Sequence, residues 1–409
     1  MSEEQNDILE LPKQEAEEFV VRILEESLPE TYPPNIEWIN CLIQAFQRKQ
    51  PFQNITLMSQ YATRHVPTWE DIYRDILQEG KGGLCLSLNF AFAAVLRSLG
   101  VCAYSAAADY VASCGRAVHA VTIIHLCTPH RMCPNCLEYA GTSGRLGCTS
   151  ECQVRKSRDF PRIKNSYRHF GNREKNISRT LKVCQTSKCR KIWTFDTDMV
   201  YLAGVGCGFP TLQAINLKDD LEKVYVDCGL EYCIIKKAHR YLRMHRAGDE
   251  IPEGEKECVN KDGWRPVFSF TLTPRPLSYF QQTMRSIFVN LEQSPYFTEL
   301  HLVRYLNFHE MIALKNETCI ESLYFHKNKK PDCNFLEGSI INTSRNWKAK
   351  KSEMKLCNES SEKKHRRNKI KLNEKEMLFF IREHFPMIPG YEAEKALHHY
   401  FSVQTKSGQ

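Results

Sequence analysis

Lys81-Gly82-Gly83-Leu84-Cys85-Leu86-Ser87-Leu88-Asn89 opens the most apolar helical stretch of the chain, Cys85–Leu99, which ends at Gly100. Leu86, Leu88, Phe90, Phe92, Val95, Leu96 and Leu99 leave that helix no polar face, so it belongs at the centre of a domain. The two glycines let the chain turn sharply into the helix and keep the approach to Cys85 open. A sulfur at a helix start lies near unsatisfied N–H groups and the positive end of the macrodipole, which favours the thiolate. Cys85 is therefore a candidate nucleophile; the bland alternative is a small packed hydrophobe.

Working outward, Glu15–Glu26 and Ile36–Lys49 read as amphipathic helices separated by Pro33-Pro34. Pro51-Phe52-Gln53-Asn54 then punctuates the chain, and Trp69–Gln78 is a further short helix. The first hundred residues predict a helical bundle. Beyond Val101 strand composition takes over, at Val118–Leu126, Thr194–Leu202, Lys223–Val226, Tyr232–Lys236, Arg240–Met244 and Pro266–Leu272. Leu277–Leu291 is helical, Leu302–Leu306 and Glu310–Leu314 are strands, and helix Glu374–His384 closes the pattern. His119, in the apolar run Val118–Ile123, is the candidate base for Cys85, and a carboxylate is needed to orient its ring. A histidine in such a strand also reads as a hydrogen-bonded core residue.

With 409 residues and 42% hydrophobic content the chain holds two or three packed units. No run reaches transmembrane length, and Met1–Glu10 is acidic and polar, which predicts no secretory signal. The 18 cysteines are then expected as free thiols, metal ligands or a catalytic group in the reducing cytoplasm. The net charge of +8 is concentrated in residues 127–192, with a balance of +11, and residues 345–371, with +8. The rest sums to −11, so two basic segments interrupt a mildly acidic body.

Pro51-Phe52-Gln53-Asn54 is similar to the Pro-Phe-Glu-Asn element of the arylamine N-acetyltransferase family. Gly82-Gly83-Leu84-Cys85 with Asn89 resembles its Arg-Gly-Gly-x-Cys-x-x-x-Asn motif, with Lys81 in place of arginine. Val118-His119-Ala120-Val121 resembles the histidine strand, Phe268–Leu272 the strand leading into the third domain, and Glu374–Phe385 the C-terminal helix. The resemblance covers nearly the whole chain apart from the two basic segments. It implies an α+β fold with a papain-like Cys-His-Asp core: a helical bundle over 1–100, a β-barrel over 101–272 and an α/β lid over 273–409. It also implies acetyl-CoA as co-substrate and an arylamine or hydrazine acceptor, joined through an acetyl-cysteine by ping-pong transfer, with no membrane partner.

The family's aspartate lies in an Asp-(Ala/Val)-Gly-Phe-Gly motif, for which two windows compete. Leu202-Ala203-Gly204-Val205-Gly206, followed by Pro210, keeps the glycines and the spacing but puts Leu202 at the acid position. Tyr225-Val226-Asp227-Cys228-Gly229 keeps the carboxylate, Asp227, and loses the second glycine and the proline. Without its acid such a triad loses on the order of 10⁴ in turnover. The resemblance places Gly204 and Gly206 on the CoA side. In the insertion at about 127–192, Cys133, Cys136, Cys148 and Cys152 have a spacing compatible with zinc, against the alternative of a basic loop with incidental cysteines. The basic residues leave nucleic acid or an acidic partner open, and 363–371 reads as part of a lid linker or as a nuclear signal. The rival overall is a catalytically impaired scaffold whose insertion binds a partner.

Overall fold

The computed structural model describes residues 9, 11–111, 117–126, 199–206, 208–246, 258–326 and 363–407. The expected N-terminal helices are present. Helix α1, Lys13–Glu18, widens into a π turn over Phe19–Ile23, and α2 spans Ile36–Lys49. The Asn35 side chain caps α2 by accepting from Trp38 N at 2.9 Å, and Ile39, Leu42, Ile43 and Phe46 face inward. Short helices α3 (Ile55–Ser59) and α4 (Trp69–Ile72, continued by a π turn over Tyr73–Gln78) precede α5, Cys85–Ser98. Every residue of α5 from Cys85 to Leu96 is buried. The Phe92 ring of α5 meets Phe46 of α2 edge-on with centroids 5.0 Å apart. Gly100 ends the helix at φ +82°, where Val101 N returns to Leu96 O.

The strand-rich region forms a sheet of eight strands in the order β5-β4-β3-β2-β9-β8-β7-β6. These are β2 (Cys102–Tyr110), β3 (Ala117–His125), β4 (Val200–Ala203), β5 (Ile215–Asn216), β6 (Tyr225–Asp227), β7 (Leu230–Lys237), β8 (Arg240–Arg246) and β9 (Trp264–Pro274). The sheet curls. Asp227 on edge strand β6 accepts from Leu212 N, just before the opposite edge strand β5, at 3.0 Å. The expected barrel is thus a strongly curled sheet whose edges meet through side chains.

A second sheet has the order β1-β10-β11-β12-β13, with β1 Phe52–Gln53, β10 His301–Tyr305, β11 Glu310–Lys315, β12 Thr318–His326 and β13 Lys363–Lys371. Helices α7 (Glu374–His384) and α8 (Gly390–Ser407) pack on it around Leu314, Met377, Phe380, Ile381, Phe385 and Leu397. Helix α6, Gln281–Phe288, leads in from the curled sheet. Two expectations are corrected. Residues 363–371, read as part of a linker, form strand β13 paired along β12, because β12 offers an open edge. The second sheet and its core also take in β1, Ile55 and Met58 from the N-terminal hundred residues.

Residues 127–198, with Cys133, Cys136, Cys148 and Cys152 among them, lie outside the described residues. Among the described residues no three metal-ligating side chains come together, and no helix is long and apolar enough to cross a membrane.

Asn54 stitches bundle to lid. Fully buried, it donates to Tyr296 O (2.8 Å) and Glu299 O (2.7 Å) and accepts from His301 N (2.8 Å). Asn54→Ala leaves three part-buried backbone groups short of a partner and is expected to cost about 3 kcal/mol in denaturant unfolding at unchanged m-value. A cost below about 1 kcal/mol would show that the lid is held elsewhere.

Candidate active site

The loop before Cys85 is built against residues 50–53. Gly82 N donates to Gln50 Oε1 (3.1 Å), Gly83 N to Pro51 O (3.0 Å), and Gln53 N to Gly83 O (3.1 Å). Gly82 sits at φ +76°, and a Cβ there would lie 2.0 Å from Pro51 O, so only glycine fits. Lys81 is 6% exposed and its Nζ meets Glu79 (2.5 Å), Glu392 (2.8 Å) and Asp75 (3.6 Å). Cys85 then begins α5 after Leu84, which is extended and gives no side-chain cap. The sulfur-bearing residue is 5% exposed. Tyr296 lies close enough for a Cys85 thiolate to help raise its phenol pKa, after burial as the main cause.

Gly206 presses against the same helix start. A Cβ on it would lie 2.5 Å from Asn89 Nδ2 and 2.8 Å from Cys85 O. Asn89 Nδ2 donates to Cys85 O at 3.0 Å, and Thr122 of β3 donates to Asn89 Oδ1 at 3.1 Å. Asn89 therefore locks the first turn of α5 to the histidine strand. Gly204 faces Thr211, whose Oγ1 a Cβ would meet at 3.2 Å. Both glycines are explained by close packing of the 204–211 loop.

His119 is fully buried on β3, on the face opposite Thr122 by strand alternation. Its ring lies 5.1 Å from the Phe268 ring and 5.6 Å from that of Tyr110. Among the described residues neither ring nitrogen has a hydrogen-bond partner, and neither a sulfur nor a carboxylate holds it. Leu202, fully buried, occupies the neighbouring strand β4 and offers only methyl groups. Asp227 belongs to Leu212 N and to Tyr232, whose hydroxyl donates to it at 2.5 Å. The structure thus places Asp227 beside Tyr232 and not on His119.

What the sequence reading missed is Arg243. Ile234, Arg243, Phe268 and Tyr110 form one cross-strand row over β7, β8, β9 and β2, leading toward His119 on β3. The fully buried guanidinium lies 4.1 Å over the Tyr232 ring and 6.0 Å from that of Phe268. It donates to His245 Nε2 (2.8 Å), Pro210 O (2.7 Å) and Thr211 Oγ1, and it forms no ion pair among the described residues. Burial, helped by this guanidinium, pulls the His119 pKa down to about 3. His245 is depressed by burial first, then by Arg243 and Arg265. Burial raises the Asp227 carboxyl, against its hydrogen bonds and Arg243.

Residues 35–129, which carry the cysteine loop and the histidine strand, match the model of an N-acetyltransferase family. Within that class, the fold is similar to an arylamine N-acetyltransferase from Mycobacterium abscessus (TM-score 0.55, 15% identity, covering 96% of this chain and 95% of that one). It is similar also to those of Nocardia farcinica (TM-score 0.53, 14% identity, 94% and 95%) and Bacillus anthracis, form C (TM-score 0.52, 14% identity, 92% and 100%). At these identities the likeness is one of fold. No curated protein sequence matches the chain. The resemblance read from the motifs is borne out in the matched segment and in the fold along the chain.

The depressed imidazole has a stability signature. A histidine kept neutral in the fold below its unfolded pKa of about 6.5 makes the unfolded chain bind the extra proton. Stability is therefore full above about pH 6.5 and falls on acidification toward about 3, the value for His119. His245 acts in the same direction, whereas Asp227, with its raised pKa, opposes it above the ordinary aspartate value. His119→Phe is expected to remove about one proton from the slope of unfolding free energy between pH 6 and 4.5. Denaturant melts across that range measure it, and an unchanged slope would mean that His119 titrates normally.

Proposed function

We propose that the chain is an acetyl-CoA-dependent N-acetyltransferase for arylamine- or hydrazine-type acceptors, working slowly through an acetyl group carried on Cys85. The observation that carries this reading is the helix start: a buried cysteine on the first turn of an all-apolar helix, behind a two-glycine loop locked to residues 50–53. Its setting in the N-acetyltransferase-matched segment supports it. In this reading the Cys85 thiolate attacks the thioester carbonyl, the carbon–sulfur bond to CoA breaks, and the CoA sulfur leaves with a proton. The acceptor nitrogen then attacks the acetyl-cysteine, loses its proton and regenerates the thiol. His119 is the proposed proton carrier, Gly204 and Gly206 line the CoA side, and a cytoplasmic setting keeps the thiol reduced.

Slowness follows from the burial of His119, which disfavours its charged form. A triad base needs its imidazolium stabilised, and here a buried cation lies on the same sheet face while the acid position carries Leu202. Asp227 is, among the described residues, the buried carboxylate on that side of the curled sheet, and its bonds to Leu212 and Tyr232 support a role in holding the 210–212 segment. The same surroundings favour a second reading, a family scaffold with impaired chemistry.

Mass spectrometry of the full chain after incubation with acetyl-CoA separates the two. An adduct of about 42 Da on Cys85, absent in Cys85→Ser, is expected. If none forms at neutral pH, and iodoacetamide labels Cys85 no faster than buried Cys319, the transferase reading fails and the scaffold reading stands. Asp227→Asn is expected to lower stability while changing the acetylation rate less than about tenfold. A loss approaching 10⁴ with the fold intact would make Asp227 the acid after all.

A further inference from the structure

Lys81 is among the few charged side chains in the core, and its ammonium is shared by three carboxylates from two parts of the chain. Asp75 and Glu79 come from the end of the preceding helical turn, at 3.6 and 2.5 Å. Glu392 comes from α8, 311 residues away along the chain, at 2.8 Å, and is itself only 5% exposed. The second Glu392 oxygen accepts from Thr56 Oγ1 at 3.4 Å, and Tyr391 donates to the first at 3.2 Å. A buried ion pair between two parts of a fold is a registry device where removal of either partner strands a charge. Burial opposes the charge on Lys81, and the carboxylates outweigh it, so the ammonium is held more firmly than an ordinary lysine.

The backbone of Lys81 is equally committed. Its N–H donates to Asp75 O (2.8 Å), and its carbonyl accepts from Gln53 Nε2 (3.3 Å). Four residues further on is Cys85. Along its length α8 is fixed in the core of the second sheet by Ala393, Ala396, Leu397 and Tyr400, and near its C-terminal end Gln404 Nε2 donates to Thr298 O at 3.0 Å. One ion pair thus joins the loop that presents the thiol to the helix that closes the lid layer.

We propose that Lys81 and Glu392 are positioning residues, an ion pair through which helix α8 holds the Cys85 loop in its reactive place. The proposal rests on the reading of Cys85 as the nucleophile. Neither side chain takes part in bond making; each acts by fixing where the first turn of α5 begins. A lid layer displaced at α8 would relax the loop and slow the thiol without any change at Cys85, Asn89 or His119.

The test measures iodoacetamide labelling of Cys85 in the full chain at pH 7, relative to exposed Cys41 in the same molecules. Lys81→Met and Glu392→Gln are each expected to lower the ratio about tenfold. The double variant is expected to be no slower than the slower single, since both remove one interaction. Lys81→Arg, which keeps the charge, is expected to stay within about twofold of the parent. A merely structural pair would lower the melting temperature and leave the ratio unmoved, and that result overturns the proposal. Glu392→Gln conserves volume and gives the answer if Lys81→Met does not fold. Failure of the parent chain to form the acetyl adduct would sink the transferase reading alone, because the labelling ratio reports the ion pair independently.

Discussion

The contact between Gly82 and Pro51 is the constraint from which the site follows. The positive φ of Gly82 brings its Cα against the Pro51 carbonyl, where a methyl group has no room. That approach aligns Gly83 with Pro51 and Gln53 as a one-residue parallel bridge. Cys85 consequently starts its helix at a height set by residues 50–53. The same four-residue run then turns outward: Phe52 and Gln53 become β1 of the lid sheet, and Asn54 closes the junction. The Cys85 loop, the helical bundle and the second sheet are therefore registered by one short segment. A shift of that segment moves all three together.

On the other side of β3 the governing fact is a buried cation that forms no ion pair among the described residues. Desolvating a guanidinium is costly unless its donors are satisfied. Arg243 meets the condition with His245, Pro210 and Thr211, and with the face of Tyr232, whose hydroxyl passes the interaction on to Asp227. Arg243 and Asp227 in turn clasp residues 210–212 from two strands, and Gln47 of α2 donates to Thr211 O at 2.6 Å. This network stabilises the curled sheet. It also sets a field hostile to an imidazolium at His119. Strength of fold and ease of proton transfer are opposed here, and the fold has the better-satisfied groups.

The parts of this arrangement that repeat locally were legible. The apolar face of α5, the stripe of α2 and the alternating strands β7 to β9 each write their pattern into adjacent residues. Strand β2 was missed because Cys102-Ala-Tyr-Ser-Ala-Ala-Ala-Asp-Tyr110 is too rich in alanine to show a period of two. Strand β13 was hidden by charge, since six Lys or Arg in nine residues read as solvated chain until β12 supplies the partner. Helix α8 follows α7 so closely that one closing helix was read where two exist. Arg243 and His245 carried a faint signal, two polar residues on the inward phase of Arg240–Arg246, but nothing local says that phase faces inward.

The ion pair at Lys81 shows the same limit from the other direction, because its meaning lies in two departures read together. Where the family pattern has a glutamate, Gln53 presents an amide. Its Nε2 donates to Thr56 Oγ1 (2.9 Å) and Lys81 O (3.3 Å), while its Oε1 accepts from Thr56 N (3.1 Å). A carboxylate could accept but could make neither donation. The amide thus fixes the loop backbone and leaves the charge of residue 81 to be met by another group. A lysine, with a compact charge on a flexible stem, can serve three carboxylates that do not share a plane, as the planar fork of arginine does less readily. Glu392 supplies the distant one. Gln53, Lys81 and Glu392 are in this sense one feature, distributed over three segments, and only the folded chain brings it together.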